Sequence, residues 1–120
     1  MATLIKVPVT IPNVGTGKKL IEEFFGNVST KQPNFSLAAM TAESGWEEPG
    51  QIAEFDEYVY VYKGIIFVKT LNDEYRVHRG QAILINKGEW VQFSNPYMFA
   101  TQYVAICVPA FSPKLVKRDK

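Results

Sequence analysis

A carboxylate set into an otherwise apolar strand face is the group in this chain best placed to do chemistry. From Gln51 the residues alternate as a β-strand does, with side chains repeating every second position. Gln51, Ala53, Phe55, Glu57, Val59 and Val61 share one face, while Ile52, Glu54, Asp56, Tyr58, Tyr60 and Tyr62 share the other. Glu57 is the one ionisable residue on the first face. A carboxylate there is costly unless it is paired, hydrogen-bonded or protonated, and desolvation disfavours its charged form. A carboxyl group with a raised pKa suits general acid/base work, which makes Glu57 the candidate catalytic residue.

Other reactive types are sparse. The chain has one histidine, His78, so two imidazoles from one chain can never share a metal. Its one cysteine, Cys107, lies in an apolar run and reads as a buried structural thiol. Glu47 and Glu48 lie in the turn-rich stretch before Gln51, where they read as solvated loop residues. Val14 to Lys19 mixes glycines and lysines but lacks the spacing of a phosphate-binding loop. It reads as a flexible turn.

Two spaced patterns resemble the motifs of the cupin superfamily. Gly45, five residues, Gln51-x-Ala53, three residues, Glu57, six residues and Gly64 match the spacing of its first motif. Gly80, five residues, Asn86-x-Gly88, two residues, Val91, three residues and Asn95 match its second. The glycines, Glu57 and Asn95 agree in type, and roughly residues 35–112 are covered. The resemblance implies an all-β, single-domain cupin: a double-stranded β-helix, or jelly-roll barrel. The family's metal ligands fall at Gln51, Ala53, Glu57 and Val91, where the histidines are replaced. No metal and no cofactor is therefore expected, because alanine and valine offer no lone pair to a transition metal. The segment from Phe55 to Gly64 is also similar to the cupins associated with ethanolamine utilisation.

What the resemblance implies is a barrel whose inward face carries Gln51, Phe55, Glu57, Val91, Phe93 and Asn95, a small-molecule pocket of mostly apolar walls with a few polar groups. Glu57 is its acid/base, and Gln51 and Asn95 position the ligand or stabilise an oxyanion. Trp46 and Tyr97, in or beside loops, line the mouth. One expectation is a metal-independent enzyme of isomerase, epimerase, cyclase or lyase type. The alternatives are a non-catalytic cupin that binds a metabolite or serves as an accessory subunit, and a cupin with an atypical metal site. A small-molecule ligand in the barrel and a second copy of the chain are the expected partners.

These residues need elements to hold them. The turn signals divide the chain into eight or nine short strands, a sandwich or barrel pattern. Thr3 to Val9 reads as an amino-terminal strand. Lys18 to Phe25 places Leu20, Ile21, Phe24 and Phe25 on one side and Glu22 and Glu23 on the other, which predicts one short helix ended by Gly26. Strands are expected over 35–42, 64–70, 74–78, 81–85, 90–93 and 100–108, and a solvated charged tail over 114–120. At 120 residues the chain is expected to form one domain, residues 1–120. Its net charge of +1 gives no field to attract nucleic acid or an anionic membrane. One cysteine, the lack of a long apolar run and an amino terminus unlike a signal peptide point to a cytoplasmic protein.

Overall fold

A computed structural model describes all residues, 1–120. The chain folds into eleven strands and one 3-10 turn at Pro113–Leu115. The strands are β1 (Val9–Ile11), β2 (Lys19–Phe25), β3 (Ser36–Ala42), β4 (Gln51–Ala53), β5 (Asp56–Lys63), β6 (Ile65–Thr70), β7 (Glu74–His78), β8 (Ala82–Ile85), β9 (Trp90–Ser94), β10 (Thr101–Val108) and β11 (Val116–Arg118). They form a six-stranded sheet in the order β1-β2-β3-β10-β5-β8 and a five-stranded sheet in the order β11-β4-β9-β6-β7. Every pairing is antiparallel. Apolar side chains from both sheets, among them Val59, Val61, Ile66, Val68, Val91 and Phe93, meet in one core between them.

The expected helix over 18–25 is not formed. That stretch is β2, paired with β1 on one side and β3 on the other. Its inward residues are Lys19, Ile21 and Glu23, matched to Ala42, Met40 and Ala38 across the ladder. Two charges on the inward face break the alternation that marks a strand, and the pair Glu22-Glu23 then imitates the polar side of a helix. The first strand is also displaced, beginning at Val9 after Pro8, whose ring removes a backbone donor. The tail is not wholly solvated: β11 pairs with β4 and carries Arg118 opposite Gln51.

The stretch around Glu57 is two strands, not one. β4 belongs to the smaller sheet and β5 to the larger, and the chain crosses between them at Glu54 and Phe55. The inward parity survives the crossing: Gln51, Ala53, Phe55, Val59 and Val61 are all buried. Gly64 ends β5 with a φ of 80°, a left-handed conformation that glycine adopts without strain. A Cβ there would stand 2.6 Å from Thr101 Oγ1 and 2.9 Å from the Ala100 carbonyl. The Thr101 hydroxyl donates to the Ile65 carbonyl at 2.6 Å and accepts from the Ile65 N–H at 3.1 Å, so the hairpin and β10 are locked at this point.

Gly64→Ala should therefore destabilise the fold by about 2–4 kcal/mol, combining left-handed strain with a backbone clash. Urea unfolding should show a lower midpoint at unchanged slope. An unshifted midpoint would show that the hairpin yields freely.

Candidate functional site

A cavity of about 90 Å³ opens on the inner face of the larger sheet. Its wall includes Lys19 and Glu23 from β2, Met40 from β3, Glu57 from β5 and Cys107 from β10. Trp46 and Glu48 reach it from the loop between β3 and β4, Gln51 from β4, and Arg118 from β11.

Each charged group is held by its own part of the fold. The loop before β2 packs on the loop before β4, where Thr16 and Glu47 exchange backbone hydrogen bonds. Gly17 lies so close to the backbone of Trp46 that a Cβ would sit 2.8 Å from its Cα. Trp46 is buried, and its indole N–H donates to Asn13 Oδ1 at 2.9 Å. The pinned ring is a platform for Lys19, whose Nζ stands 3.9 Å from the Trp46 ring centroid and 5.0 Å from that of Tyr103. Glu48 is anchored through both chain and side chain: its carbonyl accepts from Gln92 Nε2 at 3.0 Å, and its carboxylate from the Phe93 N–H at 3.4 Å. Glu57 is fixed by the β-ladder, opposite Cys107 on β10 and Ile85 on β8.

Burial and mutual charge shift Lys19, Glu48 and Glu57. Burial pushes the Glu57 carboxyl up to about 7; repulsion from Glu48 adds to this and Lys19 partly offsets it. Burial also raises Glu48, against the pull of Lys19, the Phe93 N–H and Arg118. Lys19 is lowered by burial, with Glu48 and then Glu57 restoring part of its charge. Burial, then Glu48 and Glu57, push the Tyr103 hydroxyl well above its ordinary value of 10. That hydroxyl is buried with no hydrogen-bond partner. Cys107 is pushed up too, by burial and then by Glu57, so its thiol stays protonated and is no nucleophile.

Four of the sequence-predicted site residues, Trp46, Gln51, Phe55 and Glu57, come together on the cavity wall. The other four lie elsewhere. Val91 and Phe93 belong to the packed core. Tyr97 stacks on Phe99 with centroids 6.0 Å apart. Asn95 is fully buried and structural: its amide donates to the carbonyls of Ala42 at 3.0 Å and Phe99 at 2.8 Å, and its Oδ1 accepts from the Tyr97 N–H at 3.1 Å. With both amide protons engaged, Asn95 has none left for a substrate. Sequence reasoning missed Lys19, Glu23, Glu48, Tyr103 and Arg118. The available signal was that Lys19 and Glu23 are spaced by four, which keeps them on one strand face once β2 is read as a strand.

The family's metal positions do not fit a transition metal. Ala53 and Val91 are buried without donor atoms, and nowhere do three His, Cys, Asp or Glu side chains gather as such an ion requires.

No family model matches the chain. The cupin domain of Schizosaccharomyces pombe Cnp3 superposes with a TM-score of 0.68 at 14% identity, over 76% of this chain and 61% of that one. The chain has the cupin fold. The polyketide cyclase RemF of Streptomyces resistomycificus superposes on this chain over its whole length and 85% of RemF, with a TM-score of 0.78 at 14% identity. A putative ethanolamine utilisation protein, EutQ of Salmonella typhimurium, does so over 78% of this chain and 71% of its own, with a TM-score of 0.66 at 16% identity. By sequence, 101 residues are 38% identical to part of the endoribonuclease YbeY of Myxococcus xanthus. They make up 84% of this chain but only 34% of that protein, so the chain spans about a third of the relative it matches.

The raised Glu57 carboxyl ties stability to pH. Its folded value, about 7, lies above its ordinary 4.5, so the folded state holds the proton more tightly between those values. Stability from this group is fully present below about pH 4.5 and is lost as pH rises to about 7. Glu57→Gln removes the cost of ionisation, so the variant should exceed the parent by on the order of 2 kcal/mol at pH 8 and by little at pH 5. Urea midpoints at the two pH values check this; an equal difference at both would mean that Glu57 ionises freely.

Proposed function

We propose that this cupin is a metal-independent enzyme that moves protons within a small organic molecule, in a reaction of isomerase, epimerase, cyclase or lyase type. The observation that carries the reading is a carboxyl group poised near pH 7 in a cavity it shares with two further carboxyls, Glu23 and Glu48, with Lys19 and with Arg118. A group half-protonated at working pH serves as acid in one step and base in the next. Glu57 is the acid/base. Burial raises its proton affinity, Glu48 adds to that and Lys19 offsets part of it. Gln51 orients the substrate from β4, Phe55 and Trp46 supply apolar walls, and the unpartnered Tyr103 hydroxyl is placed to feel charge on both carboxylates. The polyketide cyclase among the structural neighbours, a protein of this fold named for a cyclisation, is consistent with the reading.

A second reading is favoured by the Myxococcus relative, where a segment like this chain is about a third of a protein named for another activity. In that reading the cavity binds a small ligand without turning it over, and the chain is an accessory module.

Glu57→Gln separates the two once a substrate is found. Turnover should fall by about 10²–10⁴ while binding persists, and the parent's kcat should show an ionisation near pH 7. Unchanged turnover would remove Glu57 from the chemistry, and tight binding with no turnover in either protein would favour the accessory module.

A second copy of the chain is the proposed partner. The outer face of the larger sheet carries Tyr58, Tyr60, Leu84, Val104 and Ile106 in one apolar groove with no layer packed on it. Two such faces related by a twofold axis are self-complementary, and a net charge of +1 offers little repulsion. Sedimentation should show a dimer at micromolar concentration, and Ile106→Glu should shift it to monomer while leaving the inward cavity intact. A parent that sediments only as monomer would refute the pairing.

A further inference from the structure

We propose that Lys19 is a carbonyl-capturing amine, which forms a protonated imine with a small aldehyde or ketone bearing a hydrogen on the carbon beside its carbonyl. The inference rests on the acid/base reading above and adds the class of substrate.

Lys19 stands apart from the other lysines. Every other lysine in the chain is exposed, whereas Lys19 is half-buried and lines the cavity. Burying a long cationic side chain is unfavourable, and the fold does it at the start of β2, where a step of one residue would have put the side chain in solvent. Burial in an apolar site also activates a lysine amine as a nucleophile. Three carboxyl groups line the cavity, Glu23, Glu48 and Glu57, and the last two bear on its charge.

The platform beneath Lys19 suits the product as well as the reactant. The faces of Trp46 and Tyr103 favour a cation at Nζ. A protonated imine is also a cation centred on that nitrogen, so the rings stabilise it where it forms.

The steps balance. Glu48 takes a proton from the Lys19 ammonium. The neutral nitrogen attacks the carbonyl carbon, forming the C–N bond as the carbonyl π pair moves to oxygen. A proton passes from nitrogen to that oxygen, giving a carbinolamine. Glu48 returns its proton to the hydroxyl, the C–O bond breaks, water leaves and the nitrogen lone pair completes the protonated imine. The sum is ammonium plus carbonyl giving iminium plus water. Glu57 then removes the proton on the adjacent carbon, whose electron pair is drawn toward the iminium. This proton transfer begins an isomerisation or an elimination.

Size narrows the class. A cavity of about 90 Å³ is smaller than the roughly 150 Å³ that holds a benzene ring. It admits a carbonyl compound of a few heavy atoms.

Borohydride reduction turns such an imine into a stable secondary amine. The folded protein is incubated with acetone and, separately, with pyruvate, then reduced and mapped by peptide mass spectrometry. At least one probe should label Lys19 about tenfold more than any exposed lysine, and Lys19→Arg should lose that label. Labelling of Lys19 no greater than that of the exposed lysines with both probes overturns the proposal. Exchange of the probe's α-hydrogen in deuterated water, followed by NMR in the parent and Glu57→Gln, keeps the two readings apart. Exchange that depends on Glu57 without a Lys19 adduct overturns the imine and leaves the acid/base reading standing. A Lys19 adduct whose exchange ignores Glu57 supports the imine and removes Glu57 as the base.

Discussion

Burial works against the charges of three neighbouring side chains at once. Glu48, Glu57 and Lys19 line one small cavity, and burial is the largest influence on each. Taken singly, each would prefer to be neutral; taken together, each restrains the others, since the lysine favours charge on the carboxyls and the carboxyls favour charge on the lysine. Moving Lys19 into solvent would raise both carboxyls further, because their burial would remain and the one influence that lowers both would be lost.

The β-architecture exists to hold that compromise in place. The charges arrive from three places in the chain, β2, the loop before β4, and β5. Their relative positions are set by ladders rather than by direct contacts: Lys19 by the register of β2 on β3, and Glu57 by its place between β8 and β10. Asn95 contributes from a distance. Its three side-chain hydrogen bonds tie the end of β3 to the turn leading into β10, and its backbone N–H and carbonyl pair with Trp46 and Gly45. A residue that looked like a substrate group therefore serves to fix the loop that carries Trp46 and Glu48.

Much of this was legible in the sequence, and the exceptions share a cause. The strands from β6 to β10 were readable because their apolar residues alternate or run continuously between turn residues. Glu57 was readable because it is a lone acid on an apolar face. β2 was not, because two of its inward positions are Lys19 and Glu23, and pattern reading assumes that inward means apolar. Glu48 was hidden by its setting, next to exposed Glu47 in a stretch of turn residues. Arg118 was hidden because a three-residue strand in a charged tail carries no periodicity. The residues hardest to read were those whose burial violates the expected pattern, as functional positions tend to do.

That bias bears on what became of the cupin frame here. The spacings of both motifs survive, yet the positions that elsewhere hold ligands have changed character. Ala53 and Val91 are buried and apolar, so that side of the barrel has joined the core. Glu57 alone remains ionisable, and its charged neighbours come from β2 and the loop before β4, outside the ligand positions. Burial pushes its carboxyl up to about 7, with repulsion from Glu48 adding to this and Lys19 offsetting part of it, so it is divided between its two protonation states near neutrality.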